Sequence, residues 1–284
     1  MKPNKPKSLK MIGWGLFFLA VALFCLQLGY LFVQKKYQLE YIDDRLFYII
    51  NILFIISLSL ANLLILAMIK RKRLIIAGIA LILMSVQVGQ LISNTKEVQQ
   101  IISISPDFKQ ILSIKRHIDE GEATYYRTHY GILARPKEQL PGEIVENPKI
   151  KWLADDIATI TYKSKANTTQ QFIATYGDRG DGVSYYNVGP ETQGEWQGEN
   201  ITLVSNPEGI TITDTHTTEQ FTWENTKQYG TLAIVLLKDN EAAWTLALNK
   251  NFKANSNTPT TIKGNITLYK ATLKANEPIT LQQR

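Results

Sequence analysis

MIGWGLFFLAVALFCLQLGYLFV, residues 11–33, contains no Asp, Glu, Lys, Arg or His, and two further stretches, 46–69 and 74–93, share that property. A helix of about 20 apolar residues spans the ~30 Å hydrocarbon core of a bilayer. Nothing after residue 93 resembles these segments. The pattern predicts a three-helix transmembrane anchor over 1–93, a helical juxtamembrane connector over 94–121 and a polar domain over 122–284. The lipid bilayer is the first expected partner.

Basic residues set the orientation of such spans. Lys2, Lys5, Lys7 and Lys10 precede the first span, and Lys70-Arg71-Lys72-Arg73 fills the turn between the second and third. The opposite side receives five: Lys35, Lys36, Arg45, Lys96 and Lys109. The expectation is a multi-pass cell-membrane protein with a cytoplasmic N-terminus and an extracytoplasmic C-terminal domain. Up to residue 93 there are eleven Lys/Arg against three Asp/Glu, and from 94 onward twenty against twenty-two. The basic excess thus flanks the spans, so a nucleic-acid-binding face on the polar domain is not expected.

The first span is too long for a signal-peptide core and lacks a small-x-small cleavage site at its end. Leu23-Phe24 before Cys25 departs from a lipidation box, and Cys25, the sole cysteine, leaves the external domain without an internal disulfide. The layout resembles, in outline only, small membrane proteins of Gram-positive bacteria with one external β-domain, and the resemblance imports no activity.

Without ionisable groups the spans lack the usual mark of a proton or ion path. They do carry small residues in register: Gly15, Ala22 and Gly29 on the first, Gly78, Ser85 and Gly89 on the third. Small residues let helix backbones approach closely in lipid. Asn51 and Asn62 lie eleven apart on the second span, nearly eclipsed in projection, and each amide there seeks a partner. The stripes either hold the three helices together or dock another membrane protein.

Ser105-Pro106-Asp107 reads as a helix start, with Phe108, Ile111, Leu112 and Ile118 at helical spacing and Gly121 as a stop. One leading amphipathic helix over 106–119 is therefore expected. Beyond it the pattern turns to period two. Ala158, Ile160 and Tyr162 alternate with threonines, as do Ile210 and Ile212, and apolar runs at 231–237 and 242–248 flank Lys238-Asp239-Asn240-Glu241. Short strands with turns at this spacing predict an all-β antiparallel domain, a sandwich or a meander.

Two aromatic segments are candidate binding surfaces. One is the glycine-rich loop Tyr176, Asp178, Arg179, Asp181, Tyr185 and Tyr186; the other is Tyr125, Tyr126 and Arg127. Arg179-Gly180-Asp181 is too short a match to carry meaning, and the loop's acid spacing misses the EF-hand pattern. His117, His129 and His216 have no second ligand at metal spacing. No serine sits in a G-x-S-x-G elbow, and Asp155-Asp156 are adjacent, which on a strand points them to opposite faces. Neither catalytic residue, metal nor cofactor is expected. The leading expectation is a non-enzymatic binding or interaction protein with a membrane or envelope protein as partner. The alternatives are an accessory subunit acting through its helices and an envelope hydrolase using His129 or His216.

Overall fold

The computed structural model describes residues 6–66, 69–177, 187–252 and 264–284. Three helices long and apolar enough to cross a membrane come first: α1 (Lys7–Tyr37), α2 (Arg45–Ile65) and α3 (Lys70–Glu97). An all-β antiparallel region follows. The chain divides into two compact units, Met1–Ile102 with Ser113–Glu120 and Thr124–Glu138, and Ser103–Leu112 with Gly121–Ala123 and Gln139–Arg284.

In the first unit α2 packs against both α1 and α3. The face of α1 that α2 covers carries Gly13, Ala20 and Gln27, spaced by seven, and then Tyr30. At Gly13 the two helices approach closely: a Cβ there would lie 2.8 Å from Cγ1 of Ile65 and 3.0 Å from Cβ of Leu64. At the opposite end, Tyr30, Tyr41 and Ile50 form a cluster on which Leu23, Leu46, Phe47 and Leu133 pack. Tyr30 and Tyr41 stack with ring centroids 4.0 Å apart.

A five-stranded sheet joins this helical region. Its strands are β1 (Glu40–Tyr41), β2 (Val98–Ile104), β3 (Ile111–His117), β4 (Ala123–Tyr130) and β5 (Leu133–Gln139), in the order β1-β5-β4-β3-β2. The expected amphipathic helix over 106–119 is absent, and β3 occupies half of that range. The hydroxyl, proline and acid that resemble a helix cap close a turn instead. Ser105 Oγ donates to Asp107 Oδ1 (2.7 Å), and the amides of Lys109 and Gln110 donate to Asp107 Oδ1 and Ser105 Oγ. Phe108, between them, takes a left-handed backbone (φ 61°) that would break a helix. Leu112 through Lys115 are then buried on consecutive positions, the mark of a strand covered on both faces.

The second unit holds a three-stranded sheet, β6 (Lys149–Ala154), β7 (Ile157–Lys163) and β8 (Thr169–Thr175), in sequence order. Its other sheet is barrel-like and nine-stranded. After a short α4 (Val188–Glu191) come β9 (Gly194–Gln197), β10 (Ile201–Asn206), β11 (Gly209–Asp214), β12 (Thr218–Thr222), β13 (Thr226–Tyr229), β14 (Ala233–Lys238), β15 (Glu241–Leu248), β16 (Asn265–Lys270) and β17 (Ile279–Gln283). Two meanders, β10–β12 and β13–β17, meet at β9, which pairs with both β10 and β17. Their alternating apolar residues converge on one core that includes Trp196, Leu203, Ile210, Leu236, Trp244, Leu246 and Leu268.

The turn residues act as expected. Asp239 and Asn240 both have positive φ (52° and 63°), the type I′ geometry that matches strand twist in a two-residue hairpin. Gly209 has φ 150°, and a Cβ there would lie 2.1 Å from the Phe221 carbonyl oxygen, so β11 and β12 approach too closely for any side chain.

Glu219 on the edge strand β12 reaches across to β14 and β15. It accepts from the Trp244 indole (2.7 Å) and pairs with Lys238 (3.2 Å). The Trp244 bond, with help from Lys238, holds its carboxyl below the ordinary 4.5 against the opposing effect of burial. A depressed carboxyl stabilises fully above its unfolded value and loses that contribution as pH falls through its folded one. The expected result is extra acid sensitivity of the wild type below about pH 4.5 compared with Glu219→Gln, measured as the difference between their urea midpoints from pH 6 to pH 2.5.

Candidate functional site

The strongest concentration of charge and hydrogen bonding in the first unit forms where the sheet meets the loop between α1 and α2. Lys115 lies on β3, a strand rich in isoleucine, and only 5% of its side chain is exposed. Its ammonium donates to Glu40 Oε2 and Asp44 Oδ1, each at 2.6 Å. It also sits 4.3 Å from the centroid of the Tyr126 ring. Two carboxylates and an aromatic face thus surround one cation, with charge-assisted hydrogen bonds on one side and a cation–π contact on the other. Ser113, two residues earlier and so on the same face of β3, donates to the Ile42 carbonyl. Gln100 Nε2 donates to Asp44 Oδ2 (3.0 Å).

The loop itself is stiffened from within. Arg45 donates from Nε and NH2 to both oxygens of Asp43. Burial alone would raise the Asp43 carboxyl, but these bonds outweigh it and hold the group below its ordinary value. The Tyr126 phenol moves the other way: burial, then the negative charge of Glu40, push its ionisation well up.

From this node a chain of amides descends between the helices. The Tyr41 hydroxyl donates to Gln27 Oε1 (3.2 Å), Gln27 Nε2 to Asn51 Oδ1 (3.0 Å), and Asn51 Nδ2 to Gln87 Oε1 (3.2 Å). Gln27 Nε2 also reaches the Phe47 carbonyl. One ladder of neutral amides therefore ties all three helices without burying a charge. Among the described residues, the Asn62 side chain bonds its own helix, at the Leu58 carbonyl. Asn51→Leu should therefore destabilise the helical region by about 1–2 kcal/mol and Asn62→Leu by a few tenths. Equal losses in a detergent unfolding titration would contradict the ladder.

The sequence-singled residues fall in several places. Gly15, Ala22, Gly29, Gly78, Ser85 and Gly89 are all exposed; nothing lies within 4 Å of a Cβ built on Gly15, Gly29, Gly78 or Gly89. The helix contact uses the neighbouring register of Gly13, Ala20 and Gln27 instead. Tyr125 is buried, Tyr126 is half-buried against Lys115, and Arg127 is exposed. Tyr176 is buried too, stacked on Trp152 and donating to the Ile111 carbonyl (3.1 Å). Asp178, Arg179, Asp181, Tyr185 and Tyr186 lie outside the described residues. His129 is exposed against the Tyr130 ring, and His216 stands in an exposed turn whose amides bond Asp214. Among the described residues, no group of three or more His, Cys, Asp or Glu side chains could hold a metal ion.

The second unit contributes two clefts that pattern reading missed, of about 500 and 400 Å³, which share Gly142 and Ser164. Glu122, Glu143 and Lys165 line the first; Gln170, Gln171, Lys227 and Tyr229 line the second. Behind the second lies a buried network. Gln171 Nε2 donates to Thr161 Oγ1 (2.8 Å), its Oε1 accepts from Thr245, and its carbonyl accepts from the Tyr229 hydroxyl (3.0 Å). Such a surface offers hydrogen bonds and a fixed shape, the equipment of a binding site. No protein-family model matches the chain, and no curated protein is significantly similar to it.

Proposed function

We propose that this is a membrane-anchored, non-enzymatic binding protein. Its three helices span the cell membrane with the N-terminus in the cytoplasm, and its β-rich region contacts a ligand or envelope partner outside. The Lys115 node carries this reading. A loose tether needs no buried cation held by two loop carboxylates and an aromatic ring, whereas a sheet fixed on its membrane anchor does. The paired clefts of the second unit supply the candidate contact surface.

A second reading, an accessory subunit working through its helices, is favoured by one observation. Gly78, Ser85 and Gly89 lie exposed along α3, open to another helix.

One experiment separates the two. Photo-crosslinkers are placed at the exposed cleft residues Lys165 and Lys227, and separately at Gly78 and Gly89, in the full chain in native membranes. Capture of one species in fixed ratio at the cleft supports the leading reading. Capture confined to α3, abolished when Gly78, Ser85 and Gly89 become leucine, transfers the function to the helices. No capture at either place removes both.

A further inference from the structure

The β4–β5 hairpin shows a second surface that neither the clefts nor the helix contacts use. It is held at the end of the helices by its pairing with β1 and by a side-chain contact. Ile42, five residues beyond the end of α1, donates its amide to the Ile132 carbonyl (2.9 Å). The Leu133 side chain packs on the cluster of Tyr30, Tyr41 and Ile50. Tyr30 lies seven residues before the end of α1, about 10 Å along the helix axis, among residues that belong to the apolar run 11–33. The hairpin tip is therefore level with the last apolar turns of α1, whose Leu31 and Phe32 are exposed.

Strand alternation then assigns the hairpin's faces. Tyr126 on β4 covers Lys115 above the helix loop, so Tyr130 shares that helix-side face. Leu133 on β5 touches the helical cluster, so Arg135 and Lys137 share that face as well. Yet Tyr130 is 68% exposed, and Arg135 and Lys137 are exposed too. The side of the hairpin turned toward the helices thus projects past them carrying one aromatic ring and two cations. The same strand carries Pro136 beyond the two residues that pair with β1, on a free edge where proline costs no ladder bond.

We infer that this face rests on the outer surface of the bilayer, with the Tyr130 ring in the headgroup region and Arg135 and Lys137 on the phosphates of anionic phospholipids. Tyrosine at the interface and cations just beyond it are the side chains that this region of a membrane favours. The inference rests on reading the three helices as membrane spans. It adds a lipid contact made by strands and a preference for negatively charged lipid.

The test uses the full chain reconstituted in vesicles of phosphatidylcholine, with or without about 30% phosphatidylglycerol, a content at which each cation near the surface is worth about a fivefold change. An environment-sensitive fluorophore is placed at one cysteine at a time, and headgroup-labelled spin lipids serve as quencher. Labelling sites are the natural Cys25, exposed on α1, with acyl-chain spin lipid, and, after Cys25→Ser, Tyr130→Cys and Glu138→Cys. Glu138 is exposed on the opposite face of β5.

The expected result is quenching at position 130 several-fold stronger than at 138, greater in the anionic vesicles. Arg135→Glu with Lys137→Glu should abolish that lipid dependence. Equal quenching at 130 and 138 while Cys25 is quenched overturns the hairpin inference and leaves the membrane reading standing. An unquenched Cys25 overturns both.

Discussion

Lys115→Met should destabilise the protein by about 2–4 kcal/mol, read as the shift of a denaturant midpoint for the full chain in mild detergent. Removing one partner of a buried ion cluster costs about 3–5 kcal/mol because the remaining charges are left uncompensated. Here Glu40 and Asp44 keep about a third and a quarter of their side-chain exposure (32% and 25%), so water relieves part of that cost. Methionine conserves the unbranched stem, and little of the loss comes from packing. The decisive arm is rescue. Adding Glu40→Gln and Asp44→Asn removes the orphaned charges, and most of the stability should return. A single mutant within 0.5 kcal/mol of wild type, or a triple mutant no better than the single, would show that the node is ornamental.

Trp196→Ala should cost about 3–5 kcal/mol, the range for truncating a fully buried tryptophan. The side chain is 0% exposed at the strand where the two meanders join. Its indole donates to the Thr192 carbonyl (2.8 Å), and its ring stacks on Phe252. Truncation opens a cavity and strips that carbonyl of its donor in one step. Trp196→Phe keeps most of the apolar contact and loses only the donor, so a smaller loss of about 1–3 kcal/mol is expected. Thermal unfolding followed by near-ultraviolet dichroism measures both. Indistinguishable losses for the two variants would mean that packing at this join contributes little beyond the hydrogen bond.

The three long apolar helices and several strands were legible because each obeys a local rule. Twenty uncharged residues announce a span-length helix, and Ala158-Thr159-Ile160-Thr161-Tyr162 announces a strand without reference to anything distant. Residues 98–119 misled because local rules conflict there. Ser105-Pro106-Asp107 satisfies both a helix cap and a tight turn, and only the partners of β2 and β3 decide between them. The small-residue stripes illustrate a different limit. Heptad spacing on α1 is met by Gly13, Ala20 and Gln27 as well as by Gly15, Ala22 and Gly29, and spacing alone does not say which face meets α2.

The Lys115 node was beyond pattern reading because its members are far apart in the chain. Glu40 and Asp44 precede Lys115 by 75 and 71 residues. A local hint did exist: a lysine interrupting Ile111-Leu112-Ser113-Ile114 cannot be buried without anions, and Glu40, Asp43 and Asp44 supplied the densest acids of the helical region.

The pairing of β1 with β5 also bears on the order of assembly. Glu40 and Tyr41 lie between the first two helices, but their partners Ala134 and Leu133 are synthesised roughly 90 residues later. At about 5–20 residues per second, that is a delay of some seconds to tens of seconds during translation. Throughout it the α1–α2 loop carries unpaired strand edges and two carboxylates waiting for Lys115. The helical region is therefore finished last by a segment that follows it, and a nascent chain halted before residue 115 would present an incomplete, acid-rich loop to whatever surveys unfinished chains.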